Sequence, residues 1–316
     1  MVDIEQIRSA ERHLAGRVHR TPLLGSRTLG DRIGASVLLK VEAFQRTGSF
    51  KARGVLNRLR HLSAAERERG LVTVSAGNHA QAVAYGAGLE RIHAVVVMPE
   101  TAPAAKVEAC RDYGADIVLH GDVFAAFERM EQLRREHGYT LVHPFDDPHI
   151  IAGQGTVGAE LCDDIPDLDM VIVPVGGGGL VSGVATAVRA LRPGARIIGI
   201  EPVGAAAVRR ALDTGAPVRL ERVDTIADGL GAPMTGPLAL EHVRAFVDDV
   251  VTITDDSITA ALRFLLERCK LLTEPAGAAG VAALLDGTIR PAAGARVAVV
   301  LSGGNVDLHR LRSLLP

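Results

Sequence analysis

The chain has 316 residues, 47% hydrophobic and 23% charged, with a formal net charge of −2. That length suits one large domain or two ordinary ones, and charges of both signs are interleaved, with no basic stripe of the kind that binds nucleic acid. The mainly apolar stretches are strand-sized and end in Gly or Pro, too short to span a bilayer. Residues 1–20 lack a secretion-signal core, and Cys110, Cys162 and Cys269 match neither a disulfide framework nor a zinc spacing. A reducing cytoplasm is the expected compartment.

In chain order, short β-branched runs predict strands at Val37–Val41, Leu71–Ser75, His93–Met98, Asp116–Leu119, Thr140–His143, Met170–Val175, Arg196–Ile200 and Val297–Leu301. Segments with helical periodicity lie between them, such as Val123–His137 and Val184–Leu191. Alternating strand and helix predicts an α/β protein with open parallel sheets covered on both faces. Such sheets bind ligands beyond the carboxyl ends of their strands. The stretch Gly204–Pro237, with three Pro and five Gly, is the least regular and reads as a surface excursion that rims a site.

Three segments beside those strand ends carry chemistry. In Gly48-Ser49-Phe50-Lys51-Ala52-Arg53-Gly54, a lysine at a helix start feels the positive end of the helix dipole, and Phe50 partly desolvates it. Both effects favour the neutral amine that a Schiff-base lysine needs; a solvated surface lysine is the plain alternative. The turn Ser75-Ala76-Gly77-Asn78-His79 offers successive N–H groups to a carboxylate, or else a simple Asn-His helix cap. The run Gly176-Gly177-Gly178-Gly179, followed by a helix from Leu180, is a phosphate cradle or a tight turn without a ligand. A nicotinamide-binding oxidoreductase is a rival, because Glu201 follows the glycines at the next strand end. The glycine spacing opposes it: the last fingerprint position falls on Val181 or Ser182, and Gly183 comes one residue late.

Together these segments resemble the fold type II pyridoxal-phosphate enzymes, a tryptophan synthase β-like fold, and within them the threonine dehydratase and serine racemase group. Residues Glu42 to Gly54 resemble the cofactor-lysine motif, Ser75 to Gln81 the substrate-carboxylate loop, Gly176 to Leu180 the phosphate loop, and Leu301-Ser302-Gly303-Gly304-Asn305 the ring-nitrogen motif. Weaker matches are His143-Pro144-Phe145-Asp146-Asp147, Ala227-Asp228-Gly229 and Glu274-Pro275-Ala276-Gly277-Ala278. The resemblance implies that Lys51 holds pyridoxal 5'-phosphate covalently and moves the Cα proton. Phe50 would pack on the ring, Asn78 would bond its hydroxyl, and Ser302 would face its nitrogen. Gly176, Gly177, Gly178, Gly179 and Leu180 would hold the phosphate, which could itself protonate the departing hydroxyl. Ser75, Gly77, Asn78 and His79 would grip the substrate carboxylate.

The implied activity is dehydration of L-threonine to 2-oxobutanoate or of L-serine to pyruvate, with ammonia released. Ala76 stands where the racemases carry a second serine, which favours dehydration over racemisation. Alternatives are a 3-hydroxyaspartate-type dehydratase and a non-catalytic carrier of the same fold. Relatives that bind a divalent cation place carboxylates at both ends of the segment matching Glu201 to Ala207; here only Glu201 remains, so no metal ligand is assigned. The domain expectation is a small α/β domain over 55–145 inserted in a larger one, 1–54 with 146–316, and a homodimer.

Overall fold

Among residues 1–315, which the computed structural model describes, ten strands form two sheets. They are β1 (Leu23–Gly25), β2 (Ser36–Val41), β3 (Leu71–Val74), β4 (Ala94–Met98), β5 (Asp116–Leu119), β6 (Thr140–Leu141), β7 (Met170–Pro174), β8 (Arg196–Pro202), β9 (Asp249–Ile253) and β10 (Arg296–Leu301). The larger sheet runs β1-β2-β10-β7-β8-β9 and the smaller β5-β4-β3-β6. Every neighbouring pair is parallel except β1 with β2. All residues of β4 and β7 are buried, as strands covered by helices on both faces must be.

The eight strands expected from β-branched runs are present, within one or two residues at each end. β1 and β9, at the two edges of the larger sheet, were not expected. β1 is three residues with a half-exposed to exposed pattern, and β9 opens on an exposed Asp249, so neither shows the buried run that marked the others. The region expected to be irregular, Gly204–Pro237, contains a helix, Ala207–Thr214, that buries Ala207, Val208 and Ala211 on one face. Its alanines carry that face with little side-chain volume, so the apolar period was faint in the sequence.

The order of the larger sheet places the site. β2, β10 and β7 lie side by side, so the chain leaving each at its carboxyl end emerges in one place. After β2 comes the Lys51 segment, after β10 Ser302, and after β7 the glycine run. In the smaller sheet β3 and β6 are neighbours, and their carboxyl ends lead to Ser75–His79 and to His143–Phe145.

A closed ionic cluster anchors the helix Lys51–Arg60. The Arg53 guanidinium, 1% exposed, forks onto Glu42 at 2.9 Å and onto Glu160 at 2.6 Å. Fully buried Lys40 reaches Glu160 at 2.6 Å and the carbonyl of Thr21 at 2.8 Å. Two cations and two carboxylates balance. Burial works against the Glu160 charge, yet Arg53 and Lys40 hold its pKa below the usual range. The cluster ties β2 and the lysine helix to the helix Pro148–Asp164.

Candidate active site

Backbone pairing joins the two motifs farthest apart in sequence. The Phe50 N–H donates to the Ser302 carbonyl at 3.1 Å, the Gly304 N–H donates to the Gly48 carbonyl at 2.9 Å, and Ser49 bridges Gly303. A side chain at Gly48, which has φ of +71°, would strike the Asn305 amide oxygen. Lys51 is therefore fixed beside Ser302 by main chain.

Both line a cavity of about 460 Å³ together with Phe50, Ser75–His79, Gly176–Leu180 and Glu274, a size within the usual range for small-molecule sites. All twelve predicted site residues line this one cavity. The Lys51 ammonium donates to the Pro144 carbonyl at 2.7 Å and lies 5.1 Å from the centre of the Phe50 ring. Burial pulls its pKa down to about 8, with Glu274 opposing.

The glycine run opens the helix Gly179–Leu191, which has no side-chain cap. Its first N–H groups thus lack partners within the helix and meet the cavity. Gly178, at φ of +98°, sits in the left-handed region. Two of the others answer to Phe145: a Cβ on Gly177 would lie 2.3 Å from the Phe145 ring, and one on Gly179 2.8 Å from its carbonyl oxygen. Gly177→Ala should therefore lower stability by about 1–3 kcal/mol through overpacking. Combined with Phe145→Ala, the total loss in thermal unfolding should fall below the sum of the two single losses.

The Ser75–His79 turn opens the helix Asn78–Glu90, also without a side-chain cap. The Gly77 N–H donates to the Ser75 hydroxyl oxygen at 3.2 Å, which leaves the Ser75 O–H free to donate outward. A Cβ on Gly77 would meet nothing within 4 Å, so the turn is open on that side. The His79 ring is held away from ligand duty. Its Nε2 donates to the Val142 carbonyl at 2.9 Å, its Nδ1 is buried without a partner, and burial pushes its pKa down to about 3. At the turn His79 offers its backbone N–H.

Asn78 is locked from two sides. Its amide donates to Glu274 at 2.6 Å, and its carbonyl accepts from Asn305 at 2.8 Å. Burial raises Glu274 to about 7, against the hydrogen bond from Asn78. Glu274, Phe145 and Asn305 belong to the site but were absent from the expected residue set. Each lay inside a quoted motif; what the sequence lacked was the pairing that brings them to Asn78 and Gly177. Glu201 lies apart from the cavity. Its carboxylate accepts from the N–H groups of Val208 at 2.9 Å and Arg209 at 2.8 Å, and burial raises its pKa to about 7. The acid behind the nicotinamide rival is instead the staple of the helix Ala207–Thr214. Among the described residues no group of three or more His, Cys, Asp or Glu is placed to hold a metal ion.

The sequence pattern of the family described as "Pyridoxal-phosphate dependent enzyme" matches residues 14–303. The chain belongs to that family. It is 43% identical over 316 residues to an L-threonine ammonia-lyase of Thermotoga maritima, covering 100% of this chain and 78% of the relative. It is 42% identical over 299 residues to an L-threo-3-hydroxyaspartate ammonia-lyase of Saccharomyces cerevisiae, covering 94% and 91%. The structure of maize serine racemase superposes with a TM-score of 0.94 at 39% identity, covering 99% of this chain and 96% of that one. Three activities at nearly equal identity mean that the substrate has to be argued from the cavity.

The cavity fits pyridoxal 5'-phosphate on this chain's own features. An uncapped helix start behind a glycine loop suits the phosphate, a desolvated amine suits the carbonyl carbon, and buried Ser302 suits the ring nitrogen. The capture step itself follows the amine. Because burial depresses Lys51, its neutral fraction grows tenfold per pH unit below about 8 and levels off above it. The rate at which cofactor-free protein takes up pyridoxal phosphate, followed by visible absorbance, should rise through pH 8 and not through the 10.5 of an ordinary lysine.

Proposed function

We propose that the protein is an ammonia-lyase that removes water from L-threonine or L-serine, giving 2-oxobutanoate or pyruvate plus ammonia. One observation carries the reading: a desolvated lysine shares a single cavity with two uncapped helix starts, one suited to a phosphate and the other to a carboxylate. Bound pyridoxal phosphate supplies the electron sink that makes an amino acid Cα–H acidic enough to remove.

The chain's residues do the rest. The N–H groups at the start of the helix Asn78–Glu90, with the Ser75 O–H, bind the substrate carboxylate and fix which face of Cα meets Lys51. Lys51, neutral above about pH 8 and aimed by the Pro144 carbonyl, takes the Cα proton. The Cβ–O bond then breaks and a carbon–carbon double bond forms, the hydroxyl leaving as water with a proton from an acid beside it, a role that a phosphate held at Gly176–Leu180 would fill. Uptake of one water after tautomerisation gives the 2-oxo acid and ammonia. Ser302 offers the ring-nitrogen position a hydroxyl, which cannot hold a proton there as a carboxylate would; this favours elimination over long-lived carbanion chemistry.

Racemisation needs a proton donor on the face of Cα opposite Lys51. Ala76, in the cavity wall beside Ser75, has none to give. Keto-acid release from L-serine should exceed formation of D-serine by at least about tenfold, and Ala76→Ser should narrow that ratio. Chiral chromatography with a keto-acid assay reads both, and equal rates in the unaltered protein would contradict the assignment.

The same reading takes the protein as a cytoplasmic homodimer. Free Cys110, Cys162 and Cys269 suit a reducing compartment. Ala43 and the Leu272 backbone meet at Gly304, and the exposed Phe44 and Leu272 side chains offer apolar surface for a twofold partner.

A further inference from the structure

We infer that the cavity carries an apolar subsite for the substrate's β-substituent, formed by Val123, Phe127 and Val223. It would admit β-hydroxy amino acids with uncharged β-substituents larger than methyl, β-phenylserine among them, and exclude those with a β-carboxylate. The inference rests on the lyase reading and deepens it.

The cavity wall divides by chemistry. Phe50, Lys51, Gly176–Leu180 and Ser302 belong to the cofactor, and Ser75–His79 to the substrate carboxylate. The wall that remains runs to the mouth. Val123 and Phe127 stand on one face of the helix Val123–His137, one turn apart, and are 48% and 38% exposed. Val223, 36% exposed, and Pro233 come from the segment between the helices Ala207–Thr214 and Pro237–Phe246. Large apolar side chains left wet inside a concave site gain by covering an apolar group there. The Arg219 guanidinium lies 4.9 Å from the centre of the Phe124 ring and clasps the two sides of this mouth together.

The charges nearby oppose a second carboxylate. Lys106 lines the cavity, but it also lines an adjoining pocket of about 300 Å³ with Asp228, Glu274, Asp307 and Arg310. It acts on Glu274, and Asp228 and Glu274 line the cavity as well. A β-carboxylate would meet one cation that shares this wall with two acids, beside the apolar Val123, Phe127 and Val223. Arg219 is engaged over Phe124 outside the cavity lining. The L-threo-3-hydroxyaspartate ammonia-lyase relative is thus predicted to differ in this wall while sharing the rest of the fold.

The test is kcat/KM for L-threonine, L-threo-3-hydroxyaspartate and L-threo-β-phenylserine on the cofactor-loaded protein, each read as 2-oxo acid released. β-Phenylserine, which gives phenylpyruvate and ammonia, should fall within about tenfold of L-threonine, and 3-hydroxyaspartate at least about 100-fold below it. Phe127→Arg places a carboxylate-binding cation in the wall and should raise the hydroxyaspartate-to-phenylserine ratio by at least about tenfold. Val123→Arg, one turn away, should shift the ratio the same way. Comparable rates for hydroxyaspartate and threonine in the unaltered protein, no turnover of β-phenylserine, or an unmoved ratio in both variants would overturn the subsite while leaving the lyase reading in place. Absence of product from L-threonine and L-serine as well would overturn both.

Discussion

Lys51→Ala is expected to lower the turnover of L-threonine by at least about 10³-fold, the combined effect of losing a nucleophilic amine and a positioned base. The protein itself should stay folded, because the Lys51 side chain lines a cavity and its hydrogen bond runs to the Pro144 carbonyl. Pyridoxal phosphate should still bind through the glycine loop, but borohydride reduction should no longer attach it to the chain, which intact-mass measurement would show. Lys51→Arg keeps a positive charge and loses the neutral amine, since guanidinium does not deprotonate in proteins; it should fail as fully as alanine. If the arginine variant kept more than about a tenth of the activity, the lysine would be acting through its charge alone, and proton transfer at this position would be ruled out.

Arg53→Ala, two residues farther along the same helix, should act on stability. It removes one of two cations from a cluster that holds Glu42 and Glu160 inside the protein. Glu160 would keep Lys40, while Glu42 would lose the cation it pairs with and stay buried, so breaking the cluster should cost about 3–5 kcal/mol. In thermal unfolding this corresponds to a fall on the order of 10 °C. Arg53→Lys should recover only part of it, because an ammonium cannot fork onto both acids as the guanidinium does at Glu42 and Glu160. The loss should shrink at acidic pH. Glu160 has its pKa held low in the folded protein, so its contribution is present above the pKa of the unfolded chain and disappears as pH falls through the lower folded value.

The two substitutions separate what was readable from sequence and what was not. Lys51, the Ser75–His79 turn, the glycine run and Ser302 were legible because each follows a strand, where local residue types announce a turn or a helix start. That they would meet was also implied by parallel α/β topology, which puts such ends on one side of a sheet. Arg53 was visible only as a motif letter; the sequence did not show that it would be sealed between Glu42 and Glu160, because Glu160 lies 107 positions away. The same distance problem hid Glu274 from Asn78, 196 positions apart. Phe145 is the reason for two of the four glycines, a packing partner that neither the phosphate-cradle nor the tight-turn reading of the run contained. The edge strands β1 and β9 escaped because an edge carries less of the buried pattern that period-two reading depends on. Glu201 misled in the other direction: its spacing suited a nucleotide, whereas its two oxygens are taken by the backbone of the following helix.

The central claim is that this cavity, loaded with pyridoxal phosphate, eliminates water from a β-hydroxy amino acid. The most direct measurement adds L-threonine to the purified, cofactor-loaded protein and follows 2-oxobutanoate, ammonia and the visible spectrum together. The account predicts a spectral change on mixing, then 2-oxobutanoate and ammonia accumulating in equal amounts, with the Lys51→Ala protein silent in the same assay. A cofactor-loaded protein whose spectrum ignores both L-threonine and L-serine, and which releases neither product, would contradict it.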